Sequence, residues 1–178
     1  TSIGDYAFYK CTSLTSITYG GTTAQWEAIE KGYNWDYKTG AYTVVCLGDG
    51  TEVPEDTTAP EPETTAPEVP ETMAPETSAA PETTATPEAP EEPSENASEG
   101  LEYTLNDDGE SYSLTGIGSC TDTDIIIPST YEGKPVTSIG YRAFYYCTSI
   151  TSITIPDSVT SIGDWAFSYC DSLTSITI

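Results

Sequence analysis

The tightest constraint on this chain is a 23-residue unit that restarts in register with itself. Val136-Thr-Ser-Ile-Gly-Tyr-Arg-Ala-Phe-Tyr-Tyr-Cys-Thr-Ser-Ile-Thr-Ser-Ile-Thr-Ile-Pro-Asp-Ser158 is followed at once by Val159-Thr-Ser-Ile-Gly-Asp-Trp-Ala-Phe-Ser-Tyr-Cys-Asp-Ser-Leu-Thr-Ser-Ile-Thr-Ile178. The unit recurs, without its first residue, as Thr1-Ser-Ile-Gly-Asp-Tyr-Ala-Phe-Tyr-Lys-Cys-Thr-Ser-Leu-Thr-Ser-Ile-Thr-Tyr19. A fixed period of this length predicts a solenoid. No coil buries its apolar face alone, and stacked coils share one core.

The repeats align as Ile3/Ile139/Ile162, Ala7/Ala143/Ala166, Phe8/Phe144/Phe167, Cys11/Cys147/Cys170, Leu14/Ile150/Leu173 and Ile17/Ile153/Ile176. Tyr19/Ile155/Ile178 closes each set. Thr151-Ser-Ile-Thr-Ile155 alternates apolar and small polar residues, the period of a half-buried strand, so Ile153 and Ile155 point inward and Ser152 and Thr154 outward. Pro156 ends that strand, and Val159–Ile162 forms a second extended stretch. Gly163 permits a tight corner, and Ala-Phe with a Cys three further on suits one helical turn that drops the ring inward.

The Leu-x-x-Ile-x-Ile core at this period is that of a leucine-rich solenoid. Ile-Gly-Asp-x-Ala-Phe-x-x-Cys-x-Ser-Leu-Thr-Ser-Ile-Thr-Ile, followed in the middle copy by Pro-Asp-Ser-Val, resembles the BspA-like leucine-rich repeats of bacterial and some protist surface proteins. The repeats cover about a third of the chain, and the segments flanking them look like those that bound such arrays. The fold expected is mostly β with short helical turns, a leucine-rich-repeat solenoid of 23-residue coils split by a disordered Pro/Thr/Glu linker. The resemblance implies a bacterial, secreted or surface-displayed adhesion module binding an extracellular protein or a glycan. A structural stalk, or an accessory array on a secreted carbohydrate-active enzyme, is the competing reading.

Twenty-nine acidic residues against five basic ones give a net charge of -24, and there is no histidine. That balance argues against nucleic acid, whose phosphates are bound by Lys and Arg clusters, and against an anionic membrane surface. No apolar run reaches the 18 or more residues of a membrane span, so no membrane insertion is expected. The chain starts and ends inside a repeat and reads as a fragment, so the missing leader says nothing about compartment. Without histidine there is no Ser-His or Cys-His pair, and paired carboxylates occur only in turns and spacer. No catalytic site, cofactor or metal is expected. Cys11, Cys147 and Cys170 share one repeat position, as core thiols or as a disulfide between neighbouring coils; Cys46 and Cys120 have no partner visible in the sequence.

In chain order, residues 1–51 read as the last repeat and C-terminal cap of one array. Thr22 and Gln25 form a capping box and Gly32 a helix stop, with Trp26 and Ile29 on one face, where Trp26 is either a binding platform or the cover of the exposed end of the solenoid. Asn34–Gly40 is a turn and Ala41–Leu47 a strand. Residues 52–99 hold ten of the thirteen prolines and no Lys or Arg, a composition that cannot bury a core. Their threonines are candidates for O-linked sugars, and Asn96-Ala-Ser98 fits the N-glycosylation triplet. Residues 100–178 read as an N-terminal cap and the first repeats of a second array. The cap holds a hairpin around Asn106–Gly109, a buried strand Ile125–Pro128 and a turn Tyr131–Pro135. The acidic clusters Asn106–Asp108 and Asp122/Asp124 admit a calcium reading, but turn chemistry fits them better.

Two surfaces are candidates for binding. A hydroxyl ladder of Ser16, Thr18, Ser152, Thr154, Ser175 and Thr177 lines the strand face. An aromatic set, Tyr6, Tyr9, Tyr141, Tyr145, Tyr146, Trp165 and Tyr169, varies between coils where the core does not, and is either a binding patch or partial packing around the Ala-Phe turn. Finally, the core layer open at Leu173, Ile176 and Ile178 complements Ile3, Phe8, Leu14 and Ile17. A linker of about 48 residues spans roughly 35–42 Å on average. The expected stack therefore runs 101–135, 136–158, 159–178, 1–21, 22–50, with Ile17 beside Ile176.

Overall fold

Alternation of apolar and small polar residues gives each repeat two short strands, and the glycine corner between them sends the chain around one coil. The computed structural model describes residues 1–50 and 97–178. The first part contains β1 (Ser2–Ile3), β2 (Ser16–Tyr19), α1 (Thr23–Ala28), β3 (Glu30–Lys31) and β4 (Thr43–Cys46). The second contains β5 (Glu102–Leu105), β6 (Tyr112–Gly116), β7 (Asp124–Ile126), β8 (Thr130–Tyr131), β9 (Lys134–Ile139), β10 (Ser152–Thr154), β11 (Ser161–Ile162) and β12 (Ser175–Thr177). One sheet is ordered β3-β1-β11-β9-β6-β5, with β8 folded back on β9, and the other β4-β2-β12-β10-β7. The result is a β-solenoid of about five turns. Of the linker expected at 52–99, residues 52–96 lie outside the described residues. Its last part does not: the Ser98 N–H donates to the Ile126 carbonyl at 2.9 Å, and the Ser98 hydroxyl accepts from the Ile126 N–H at 3.1 Å.

The coil order is the one expected from the complementary core layers. Ile17 is the Cα partner of Ile176, between Ser16/Ser175 and Thr18/Thr177, in parallel pairing. Ile3 pairs with Ile162 in the other sheet. Between the sheets every aligned core residue is buried except Tyr19 and Cys147, which are half-buried. Phe144, Phe167 and Phe8 stack as a column with centroids 5.2 Å apart at each step.

The Ala-Phe segment is not a helical turn. Each bend carries two residues with left-handed backbone, Arg142/Tyr146, Trp165/Tyr169 and Tyr6/Lys10, at φ between 54° and 63°. A helix would tie their N–H groups within the coil. Here they point at the next coil instead: Trp165, Phe167 and Tyr169 donate to the carbonyls of Asp5, Ala7 and Tyr9 at 2.8–2.9 Å.

A glycine rail makes the close stacking possible. A methyl group at Gly163 would sit 2.8 Å from the Gly140 carbonyl carbon and 2.9 Å from the Tyr141 nitrogen. At Gly4 it would sit 2.6 Å from the Asp164 nitrogen. Both obstacles are backbone and cannot move aside.

The closing segment differs from its sequence reading. Thr22 and Gln25 do form a capping box, but α1 ends at Ala28, because Gly32 stands in the rail, its own N–H donating to the Ile3 carbonyl. Residues 30–46 make a further coil. Glu30–Lys31 pairs with Ser2–Ile3, and Thr43–Cys46 with Ser16–Tyr19. Asn34 and Lys38 take the two left-handed positions. Trp26 is therefore buried between Tyr19 and Trp35, at 5.5 and 6.2 Å between ring centroids, and the extra coil covers the end. At the other end, β5 and β6 form the antiparallel hairpin, and Asp108 serves its turn by accepting from the Glu110 N–H at 2.8 Å and the Ser111 hydroxyl at 2.7 Å.

Candidate binding surface

The left-handed bends aim side chains outward along one edge of the stack, and the aromatic residues collect there. Tyr6 lies on Trp165, centroids 4.6 Å apart and planes 20° apart, and Tyr146 lies on Tyr169 at 4.4 Å and 7°. Tyr9 meets Tyr169 edge-on at 5.3 Å, and Tyr145 meets Tyr146 edge-on at 4.7 Å. Tyr141, 61% exposed, joins through Arg142, whose guanidinium sits 4.9 Å from the Tyr141 centroid and 4.7 Å from that of Tyr145. The structure thus brings all seven aromatic candidates onto one face.

The sequence reading missed what completes this face. Lys10 lies 4.6 Å from the Tyr169 centroid and Lys38 lies 5.2 Å from that of Tyr37. Tyr33 and Tyr37 extend the row onto the last coil, edge-on to Tyr6 at 5.6 Å and stacked with Tyr9 at 6.0 Å. Three of the five basic residues, Lys10, Lys38 and Arg142, stand here at left-handed positions. The four-residue spacing 6/10, 34/38, 142/146 and 165/169 was the available signal. Contacts of this kind contribute about 0.5–1.5 kcal/mol per aromatic pair and about 0.5–1 kcal/mol per exposed cation–ring pair. Crowding pushes the Tyr146 phenol up, through desolvation first and the neighbouring Tyr169 next.

The hydroxyl candidates form two straight rows on the other sheet. Ser16, Ser175 and Ser152 are register partners, as are Thr18, Thr177 and Thr154. Asp124 ends the serine row, its Oδ1 accepting from the Ser152 hydroxyl at 2.7 Å and the Thr151 hydroxyl at 2.8 Å. Those two bonds hold its carboxyl below the usual carboxylate range. A neighbouring threonine row is already committed to the stack: the Thr15 hydroxyl donates to the Thr174 carbonyl at 3.0 Å, and the Thr174 hydroxyl to the Thr151 carbonyl at 2.9 Å.

Among the described residues no cluster of three or more Cys, Asp or Glu side chains could hold a metal ion, and no helix is long and apolar enough to cross a membrane. Cys11, Cys147 and Cys170 are free thiols, and the Cys11 and Cys170 Sγ atoms donate to the Phe167 and Phe144 carbonyls at 3.1 and 3.0 Å.

The family model of the BspA type leucine rich repeat region matches residues 1–29 and 118–178 in six copies, half of the chain. The chain belongs to this family. Repeats of this type are generally protein-binding or surface repeats. A leucine rich repeat protein of T. pallidum is 30% identical over 44% of this chain and 36% of its own, with a TM-score of 0.43. A leucine-rich repeat protein from Bacteroides ovatus is 29% identical over 47% of this chain and 23% of its own, with a TM-score of 0.40. The chain therefore spans well under two thirds of either. No curated protein matches it.

Proposed function

We propose that this BspA-type chain is a non-catalytic, secreted or surface-displayed module that engages an extracellular protein or glycan through its aromatic edge. The observation that carries the reading is the continuous row of stacked rings and ring-bound cations across four coils, from Tyr141 to Tyr37. Exposed aromatic patches of this kind are enriched at binding surfaces. Cations held at ring faces give such an edge a few fixed donors on a chain that otherwise repels acidic partners. The proposed organisation keeps 1–51 as the last repeat and cap of an array and the later residues as the opening of an array, but ends the linker between them before Ser98, which is bonded to Ile126.

The test is a panel of matrix proteins and glycans probed with the full chain, with a Tyr141→Ala/Tyr146→Ala variant, and with a Ser175→Ala/Thr177→Ala variant on the hydroxyl rows. Loss of binding in the first variant and retention in the second is the expected result. Loss only in the second moves the binding surface to the strand face, and a panel that binds nothing favours the stalk.

A further inference from the structure

The seam between residues 159–178 and residues 1–19 is non-covalent, and the only covalent path between the two described parts runs through residues 51–96. Its geometry is nevertheless that of the covalent seam one coil earlier. Phe167 donates its N–H to the Ala7 carbonyl at 2.8 Å, as Phe144 does to Ala166 at 2.8 Å. Ile178 donates to Thr18 at 2.8 Å, as Ile155 does to Thr177 at 2.9 Å. Gly4 donates to Ile162 at 2.8 Å, as Gly163 does to Ile139 at 2.8 Å. Phe8 and Leu14 on one side, and Phe167 and Leu173 on the other, are wholly buried by this pairing. Nothing in the seam depends on which chain supplies residues 1–50.

The connection imposes little selection. Ser98 lies outside β7, and β4 closes the opposite end of the same sheet. The path from Gly50 to Ala97 must therefore cross five strand spacings of about 4.8 Å, about 24 Å. Forty-six residues reach up to about 150 Å at full extension, so they permit closure within one chain and docking on a neighbour alike.

We propose that the C-terminal face of 159–178 is an exchangeable docking surface whose partner is the 1–50 unit of a second copy of this chain. The two faces of the seam are different surfaces, so the contact is heterologous. Reciprocal exchange closes a dimer, and exchange passed onward gives an open head-to-tail row of solenoids.

The experiment is a chain lacking residues 52–95, in which three peptide steps, about 11 Å, cannot bridge the stack. Its mass is followed by light scattering, with far-UV circular dichroism as a check on folding. The intact chain is expected to be a monomer at micromolar concentration, because its tether holds the 1–50 unit at an effective concentration on the order of millimolar. The shortened chain is expected to be a dimer or larger at the same concentration, and Ile17→Asp within it returns the mass to that of a monomer. A shortened chain that keeps its β spectrum yet stays monomeric overturns the proposal.

Should the shortened chain not fold, the intact chain supplies the second measurement. A Thr18→Cys chain and a Thr177→Cys chain are mixed at about 1 mM, the scale of the tether's effective concentration, melted together, cooled and oxidised. A disulfide joining residue 18 of one chain to residue 177 of the other is expected, and its absence overturns the proposal.

Discussion

The Phe8 ring lies parallel to the Phe167 ring, planes 2° apart and centroids 5.2 Å apart, although the two residues stand near opposite ends of the chain. Phe167 is stacked on its other side by Phe144, also at 5.2 Å. A ring sandwiched on both faces leaves the largest void when it is cut back. Phe167→Ala is expected to cost about 3–5 kcal/mol, with Phe144→Ala at the lower end of that range. Thr154→Ala, on the exposed row, is expected within about ±0.5 kcal/mol. Urea melts measure all three, and equal losses at ring and threonine positions contradict the inside/outside assignment.

The core was legible because the repeat names its own inward positions. Ile153, Leu173 and Ile17 follow from alternation, and the Ile17–Ile176 pairing follows from matching one open layer to its complement. The coil at 30–46 was hidden because its markers are inverted. The Trp35 carbonyl accepts from Phe8 at 2.7 Å, as the Ala7 carbonyl does from Phe167, so a large ring stands at the alanine position, followed by Asp36. Trp35 then reaches over Phe8, edge-on at 5.9 Å, and fills the space the missing phenylalanine would take. The aromatic edge was half legible. Variation between coils drew out the tyrosines, but Lys10, Lys38 and Arg142 join them only because the backbone is left-handed there, which an Ala-Phe helical turn does not suggest.

The glycine rail sets a graded expectation. At Gly140 the nearest obstacle to a methyl group is the Leu114 carbonyl at 3.2 Å, whereas at Gly163 three backbone atoms lie within 3.0 Å. Gly163→Ala is expected to lower stability by about 1–3 kcal/mol through forced separation of the coils, and Gly140→Ala by clearly less. Thermal melts of the two variants decide it, and a reversed order means the coils do not stack as closely as described.

Lys38 isolates the cost of the left-handed bend, being exposed with φ 61°. Asparagine tolerates that conformation and β-branched residues do not. Lys38→Asn and Lys38→Val both lose the contact with Tyr37, so their difference reads the bend alone: Lys38→Val is expected to be about 1–2 kcal/mol less stable than Lys38→Asn. Equal melting of the two would mean that this coil is not held in the bend.

Alkaline pH should loosen the stack through its buried thiols. Burial pushes the Cys11 thiol from 9.0 up to about 12, and burial raises Cys170 as well. The Tyr103 phenol moves in the same direction, to about 12, again through burial. In each case the unfolded chain releases its proton first. The stabilisation is therefore fully present below pH 9 and is lost progressively as pH rises toward 12. The two thiols differ from the tyrosine in being removable at small cost in volume. Urea melts between pH 8 and pH 11 are expected to show a falling midpoint for the intact chain and a shallower fall for Cys11→Ala/Cys170→Ala, whatever the variant's stability at pH 8. Parallel slopes would place the alkaline loss elsewhere, and a dithiobisnitrobenzoate titration at pH 8 gives the independent reading. Of the three aligned thiols, Cys147, half-buried and raised less far, should react first, and Cys11 and Cys170 only as the coils open.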